Sequence, residues 1–517
     1  MTNPTPTEGL EAGVEQSRQG IFIGEPMEPA SGRYLPSFDP TVGEPWYELA
    51  DAGFADVDKA VSLARTTFRS PAWQKLTATE RGELLFGLSD VMTRYALELA
   101  LLETRDIGKL LRETRALMLA AARSFRFYGG MADKIRGATV QVDQPDVLGM
   151  TLREPYGVVA SIVPWNSPLY LLTGSLAPAI AAGNTVVAKP SPENSASILA
   201  FARLAREAGL PAGVLSVVTG GAEAGEALVS HPGVDKIAFT GGTEVGKHVA
   251  AAAAANITPV TLELGGKSPH IVCADADLDR AVMGVAAGIF AAAGQTCVAG
   301  SRCLVEQPVY EEVLERVKVL AEKIRIGDPR LEETQLGPLG TLRQFESVKG
   351  QVTAARDTGL RLVTGGEPTA GQKGWFYPPT VFADVPADAD LFQEELFAPV
   401  LAVTPFSGED EMVSLANATR YGLAAGIWTR DIDRALRFTR RVEAGTVWVN
   451  TYRAPSMTLP AGGYKQSGYG RQDALEGMLD YTQLKSVLID YSGADFDPFV
   501  MKLSGTAPAT TDSDVED

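Results

Sequence analysis

Tyr156–Ser191 reads YGVVASIVPWNSPLYLLTGSLAPAIAAGNTVVAKPS. Val158–Val163 and Thr185–Ala188 are short β-branched runs bounded by glycine, proline and polar residues, so each is expected as a strand. Leu176–Ala182, between them, is compatible with a helix. Strand, helix and strand form the unit of a parallel sheet with helices on its faces. The alternation continues outward. Leu215–Val218, Lys236–Phe239 and Val260–Leu264 read as strands, and Ser195–Ala208, Glu223–Val229 and Val245–Ala255 as helices. The fold class is therefore α/β, and ligands are expected beyond the C-terminal ends of the strands. A second alternating series follows Glu263 and runs to about Gln472, punctuated by glycine-rich stretches such as Ala461–Gly470, AGGYKQSGYG.

Before this region the pattern is helical. Asp56–Phe68 puts Val57, Ala60, Val61, Ala64 and Phe68 on one face, and Leu84–Leu102 and Leu110–Phe127 are also expected as helices. Residues 1–20 are polar, with Pro4, Pro6 and Gly9, and are expected to form a loose arm, structure starting near Ile21. Residues 497–517, ending TAPATTDSDVED, are acidic and polar and are expected to be disordered. No internal repeat of 20–50 residues is visible.

The 517 residues correspond to about three structural units. With 45% hydrophobic and 21% charged residues, the chain can bury a large core. Its 46 basic and 64 acidic side chains give a net charge of −18, which argues against a nucleic-acid partner but not against a local basic pocket. Three cysteines without a CxxC pair exclude a disulfide framework, and three histidines leave little for a His-rich site, so no metal is expected. The first 16 residues lack the basic and apolar regions of a signal peptide. Leu169–Ala188 is interrupted by Pro178 and Asn184, and Ala281–Gly294 is too short, so neither suits a membrane span. A cytoplasmic location is expected.

Some residues stand out chemically. Cys297, in AAAGQTCVAG (Ala291–Gly300), is either an inert buried thiol or a nucleophile approached closely past Gly294 and Gly300. Glu263, in VTLELGGKSPHIV (Val260–Val272), is either a solvated strand end or a base whose pKa apolar neighbours raise. Asn166, in SIVPWNSP (Ser161–Pro168), either forms a turn or donates to a developing oxyanion. FTGGTEVGK (Phe239–Lys247) follows a strand and enters a helix, an arrangement that can bind phosphate or simply make a tight turn. VAKPS (Val187–Ser191) sets Lys189 at a strand end.

In the order PWN, KPS, FTGGTEVG, ELGGKSP, GQTC, EELFAPV and GGYKQSGYGR, these segments resemble the NAD(P)-dependent aldehyde dehydrogenase superfamily, from about Ile21 to Ile489. Glu263 lies 34 residues before Cys297, which also looks like the family's spacing. The resemblance implies a Rossmann-like cofactor domain (21–137 and 153–262), an α/β catalytic domain (263–472) and small β oligomerisation strands (138–152 and 482–490). It implies a homodimer or homotetramer, with a small-molecule aldehyde as substrate and neither nucleic acid nor membrane as partner. It also implies that Cys297 attacks the aldehyde, Asn166 and the Cys297 N–H hold the oxyanion, and Glu263 activates water against the thioester. Ile162, Val163, Trp165, Lys189, Glu193, Gly241, Gly242, Thr243, Val245, Gly246, Leu264, Glu395 and Phe397 would contact the cofactor. Ser167, Tyr170, Gly174, Thr296, Val298, Arg453 and Ala461 would line the aldehyde pocket.

The sequence departs from the family in places. Pro192 stands where NAD-preferring members often carry Glu, the acid being displaced to Glu193, so NADP is tolerable while NAD is preferred. Ser175 and Gln472 replace a frequent Lys and Glu, a coherent loss if the two form a buried pair. Ser167, Gly174 and Ala461 widen the pocket where small-aldehyde members use aromatic residues. Arg453, in NTYRAPS (Asn450–Ser456), could bind a carboxylate or could be held by a neighbouring acid. Cys273 and Cys303 read as core residues. The expected activity is oxidation of a bulky, aromatic or carboxylate-bearing aldehyde to its acid. A CoA-acylating semialdehyde dehydrogenase is the nearest alternative, which Glu263 argues against. A silent structural or binding protein is the other, and Cys297, Glu263 and Asn166 together argue against it.

Overall fold

The computed structural model describes residues 9–454, 456–493 and 499. Its first parallel sheet comes from the stretch that begins at Val158. The chain alternates β1 (Val158–Val163), α1 (Pro168–Ala182), β2 (Thr185–Pro190), α2 (Ala196–Glu207), β3 (Leu215–Val217), α3 (Ala222–Val229), β4 (Lys236–Thr240), α4 (Thr243–Ala254) and β5 (Val260–Glu263). These five strands are parallel and lie in the order β5-β4-β1-β2-β3. The order reverses direction at β1, which has β4 on one side and β2 on the other. A crevice therefore opens past the C-terminal ends of β1 and β4. Covered on both faces, β1 is almost wholly buried, which is why it reads as a continuous apolar run.

Asn184 pins the first crossover. Its Oδ1 accepts from Gly157 N at 2.9 Å and its Nδ2 donates to Tyr481 O at 3.0 Å. Gly183 before it takes the left-handed conformation (φ 97°) that ends α1. The helix is longer than expected from the sequence, starting at Pro168, where a proline's missing N–H costs nothing.

The second sheet contains β6 (Pro269–Val272), β7 (Arg302–Glu306), β8 (Thr380–Ala383), β9 (Val400–Phe406), β10 (Ala424–Trp428) and β11 (Thr446–Val449), all parallel, in the order β8-β9-β7-β6-β10-β11. Arg361–Thr364 adds an antiparallel edge to β8. The β6-to-β7 crossover holds α5 (Leu278–Phe290) and then the loop carrying Cys297. A third sheet pairs Thr482–Asp490 with Val147–Pro155 over nine residues, and Thr139–Val140 lies on the far side. The two segments anticipated as oligomerisation strands thus meet, the first extending to Pro155.

Three expectations are corrected. The arm is not loose from Gly9 onward: Gly9–Val14 is helical and Arg18–Gln19 pairs with Glu48–Leu49. Arg105 holds it through Glu11 (3.1 Å) and Glu15 (2.7 Å), and Gln16 N donates to Trp46 O at 2.7 Å. The helix expected over 84–102 is two helices, Ala78–Arg94 and Ala96–Ile107, parted at Tyr95, whose backbone leaves helical geometry (φ −99°, ψ 16°). The segment after Glu263 does not stay in one domain. Gly468–Tyr469 returns to pair antiparallel with β5, setting Gly468 opposite Glu263. The expectations for residues 1–8 and, Phe499 aside, for 497–517 fall outside the described residues.

Candidate active site

Cys297 sits on a loop that is costly to build. Ala292 (φ 54°), Ala293 (φ 51°) and Gly294 (φ 69°) are successive left-handed residues. For an alanine that conformation costs about 1–2 kcal/mol. Three contacts hold it. Ala292 N donates to Glu113 Oε1 at 3.0 Å, Gly340 N donates to Gln295 Oε1 at 2.8 Å, and Gln295 N donates to Ala292 O at 3.0 Å. A Cβ on Gly294 would lie 2.1 Å from Ala398 O, so only glycine fits there.

Asn166 reaches this loop from the other sheet. It follows β1, and its Nδ2 donates to Gln295 O at 3.1 Å. Its own carbonyl accepts from Lys109 Nζ at 2.5 Å, and Lys109 also donates to Ser167 Oγ at 2.6 Å. Burial lowers the Lys109 pKa, while Glu113 and Glu103 oppose the shift. Glu113 thus bears on both sides of the site, bonded to the cysteine loop and in charge contact with the lysine under Asn166.

Glu263 ends β5 and is buried. Among the described residues its Oε1 has no hydrogen-bond partner. Burial holds its carboxyl well above the usual range, with Arg471 opposing and Asp473 and Asp480 adding to the rise. Burial likewise pushes the Cys297 thiol up to about 11, assisted by Glu395 and Glu263 and opposed by Arg453. Gly265 and Gly266 allow the close approach. A Cβ on Gly265 would meet Glu395 Oε2 at 2.1 Å, and one on Gly266 would meet Cys297 O at 2.6 Å. Ser467 pins this turn, its Oγ donating to Gly265 O at 2.7 Å and its carbonyl accepting from Leu264 N at 3.0 Å. The glycine-rich Ala461–Gly470 segment therefore acts as a strut beneath Glu263.

One cavity of about 270 Å³ joins these groups. Asn166, Glu263 and Cys297 line it. So do Trp165, Gly241, Gly242, Leu264, Glu395 and Phe397. Trp165 and Phe397 meet edge to face with centroids 5.6 Å apart. Burial raises Glu395 to about 7, though it accepts from Gly266 N at 3.0 Å. Gly242 caps α4 with no side chain, and a Cβ there would meet nothing within 4 Å, leaving the helix N–H groups open to an anion. Thr243 and the exposed Val245 stand on the first turn of α4. Gly246 packs so close to Leu264 that a Cβ would lie 2.4 Å from it. Lys189 is buried at the end of β2 and drops to about 8, its ammonium donating to Pro190 O at 3.2 Å. Glu193 acts on Lys189 by charge and accepts from the Ser191 hydroxyl. Open helix N–H groups, a cation with unused donors and a carboxylate across the cleft fit a dinucleotide.

Not every anticipated residue faces this cavity. Ile162 and Val163 are adjacent in β1 and point to opposite faces. Ile162 packs with the cluster that includes Phe239 and Leu264, whereas Val163 is buried in the cluster on the other side of the sheet. The Val163 carbonyl accepts from Ser191 N at 3.0 Å. The Ser167 hydroxyl is taken up by Lys109 and Asn166. Tyr170 is pushed up to about 12 by burial and by the charges of Asp473 and Cys297. Thr296 and Val298 flank Cys297, and Val298 O accepts from Tyr452 Oη at 3.1 Å. Gly174 lies by Gln472, which pairs with Ala461. Ser175 bonds Ser161 at 2.6 Å, so the site where a lysine is frequent is satisfied as a neutral contact. Cys273 and Cys303 are buried. Lys109, Glu113, Gln295 and Gln344, whose Nε2 donates to Leu396 O and Phe397 O, were not apparent from the sequence.

The aldehyde dehydrogenase family model matches residues 27–487. The chain belongs to the aldehyde dehydrogenase family. It is 45% identical to (Z)-2-((N-methylformamido)methylene)-5-hydroxybutyrolactone dehydrogenase of Acinetobacter baylyi, over 93% of this chain and 99% of that one. It is 41% identical to phenylacetaldehyde dehydrogenase of Pseudomonas fluorescens, over 93% and 97%. The NAD+ complex of a Bacillus cereus aldehyde dehydrogenase superposes with a TM-score of 0.92 at 38% identity, over 95% of this chain and all of that one. This aldehyde dehydrogenase is an NAD(P)-dependent enzyme that oxidises an aldehyde to an acid. Among the described residues, no helix is long and apolar enough to cross a membrane, and no cluster of three or more His, Cys, Asp or Glu is placed to hold a metal ion.

Proposed function

We propose that Cys297 is the nucleophile, Asn166 and the Cys297 N–H the oxyanion donors, and Glu263 the base that activates water. The observation that carries this is the convergence of all three side chains on one cavity shared with Gly241, Gly242 and Glu395. Cys297 Sγ bonds to the aldehyde carbon as its S–H bond breaks, the proton passing to water, and the carbonyl oxygen gains negative charge. Asn166 is held in place on Gln295 O through one N–H and keeps a second to donate to that oxygen. Bound NAD(P) supplies the hydride acceptor. Glu263 then takes a proton from water as the hydroxide adds to the Cys297 thioester. The acid leaves, and the thiol is restored. Burial raises the Glu263 carboxyl, which makes its carboxylate a stronger base than an exposed glutamate.

Gly241, Gly242 and the first turn of α4 would hold the pyrophosphate, Lys189 the adenosine ribose, and Glu395 the nicotinamide ribose. Glu193, beside Lys189, supports NAD over NADP, because a carboxylate there disfavours a 2′-phosphate. A bulky, aromatic or carboxylate-bearing aldehyde is the proposed substrate, supported by Gly174 and Ala461, small residues where small-aldehyde members carry aromatic ones. The third sheet supports a homodimer or homotetramer. Thr482–Asp490 is an edge strand with Leu484 and Leu488 each 61% exposed.

The test is absorbance at 340 nm with NAD and with NADP, across aliphatic, aromatic and carboxylate-bearing aldehydes. Turnover by the wild type that is lost in Cys297→Ala is expected. Turnover that survives in the variant rejects the thiol mechanism.

A further inference from the structure

We propose that Arg453 binds a carboxylate on the substrate, remote from its aldehyde carbon, so that the preferred substrates are oxo acids. The proposal rests on the reading of Cys297 as the nucleophile.

Four observations carry it. First, Arg453 is anchored beside the cysteine loop. Tyr452 donates to Val298 O, next to Cys297, and stacks on His270 with centroids 4.3 Å apart. On the other side, Ala454 O accepts from Trp448 Nε1 at 3.2 Å. Second, Arg453 itself is left-handed (φ 56°), a conformation that non-glycine residues rarely adopt unless their surroundings impose it. Third, among the described residues its buried Nη1 has no hydrogen-bond partner and no acid lies within ion-pair distance. Buried guanidinium donors are normally satisfied, and a carboxylate is the group their fork geometry fits best. Fourth, its charge acts on Cys297, Lys109 and Tyr452, so it bears on the reacting end of the pocket.

Lys109 is the contrasting case. It is already committed to Asn166 and Ser167 and faces Glu113 and Glu103. Arg453 has no such compensation. A net charge of −18 would not draw an anion to the pocket, so an oxo acid needs a local cation.

The experiment compares kcat/KM for matched pairs: 4-formylbenzoate with its methyl ester, and 4-oxobutanoate with butanal. Wild type, Arg453→Ala and Arg453→Lys are measured. The acid of at least one pair is expected to be preferred by roughly tenfold or more. Arg453→Ala is expected to lower kcat/KM for that acid about 10–100-fold more than for its neutral partner, mainly through KM, so that the acid preference collapses. Arg453→Lys is expected to recover part of the loss. No preference in the wild type, or equal loss on both members of each pair, overturns the proposal. Wild-type protein that binds NAD yet turns over neither member of any pair fails the reading of Cys297 instead, and the proposal with it.

Discussion

The Asn166 side-chain amide donates to Gln295 O at 3.1 Å, across 129 residues of sequence and between two separate sheets. It ties the end of β1 to the cysteine loop, so the proposed oxyanion donor and the nucleophile are positioned by one contact. Asn166→Ala should therefore lower kcat by about 10²–10³-fold while leaving cofactor affinity within about threefold. Asn166→Asp should be at least as damaging, because a carboxylate repels both Gln295 O and the oxyanion. Steady-state rates beside NAD titration followed by protein fluorescence would check both.

Glu113 should act as a positioning residue. It bonds the strained Ala292 N–H and attracts the lysine under Asn166. Glu113→Ala should cost about 1–3 kcal/mol of stability and reduce kcat by about 10–100-fold, with KM less affected. Glu113→Gln keeps an acceptor for Ala292 and should recover most of the stability. Thermal unfolding and kinetics on one substrate would show it. Loss of stability with unchanged kcat would make Glu113 a folding residue only.

Much of this was legible in the sequence. The strands of the first sheet announced themselves because both faces of each are covered, which leaves short, mainly apolar runs such as Val158–Val163 and Ile237–Phe239. Cys297, Glu263 and Asn166 stood at loop and strand ends whose order in the chain carried the resemblance. Glu113 gave no such signal. It looks like any acid on a helix, and only the fold brings it to Ala292, 179 residues away. The ordered arm was missed for a similar reason, since Glu11 and Glu15 look solvated until Arg105 is placed beside them. Val163 is different. Alternation along β1 sends the Ile162 and Val163 side chains to opposite faces of the sheet, so they cannot both face one groove by their side chains.

Activity should depend on pH through Glu263. Burial raises its carboxyl above the ordinary range, so the protonated, inactive form persists to higher pH than for an exposed glutamate. Where hydrolysis of the thioester limits turnover, kcat should rise with pH as Glu263 ionises, and Glu263→Gln should lose that limb. A profile of kcat from about pH 5 to about pH 9 would test this. A limb that persists unchanged in Glu263→Gln would assign the ionisation to another group.

Gly266→Ala places a methyl carbon 2.6 Å from the Cys297 carbonyl. It should cut turnover by about 10²-fold or more, because either the cysteine loop or the Glu263 strand end must move. Gly242→Ala, whose Cβ meets nothing, should fold normally and act chiefly on NAD affinity. Side-by-side kcat and NAD titrations would separate the two effects.

Leu484→Asp combined with Leu488→Asp should weaken self-association without unfolding the subunit, since both side chains are exposed on the third sheet. Sedimentation velocity would detect the change in mass. An unchanged oligomer would move the interface elsewhere.

The most direct test of the central claim is a single-turnover experiment with Glu263→Gln and a good aldehyde substrate. Absorbance at 340 nm is followed, then intact mass and the peptide containing Cys297 are measured after acid quench. A burst of about one reduced cofactor per subunit, little further turnover and an acyl group on Cys297 are expected. Sustained turnover with no adduct, or an adduct on any other residue, would contradict it.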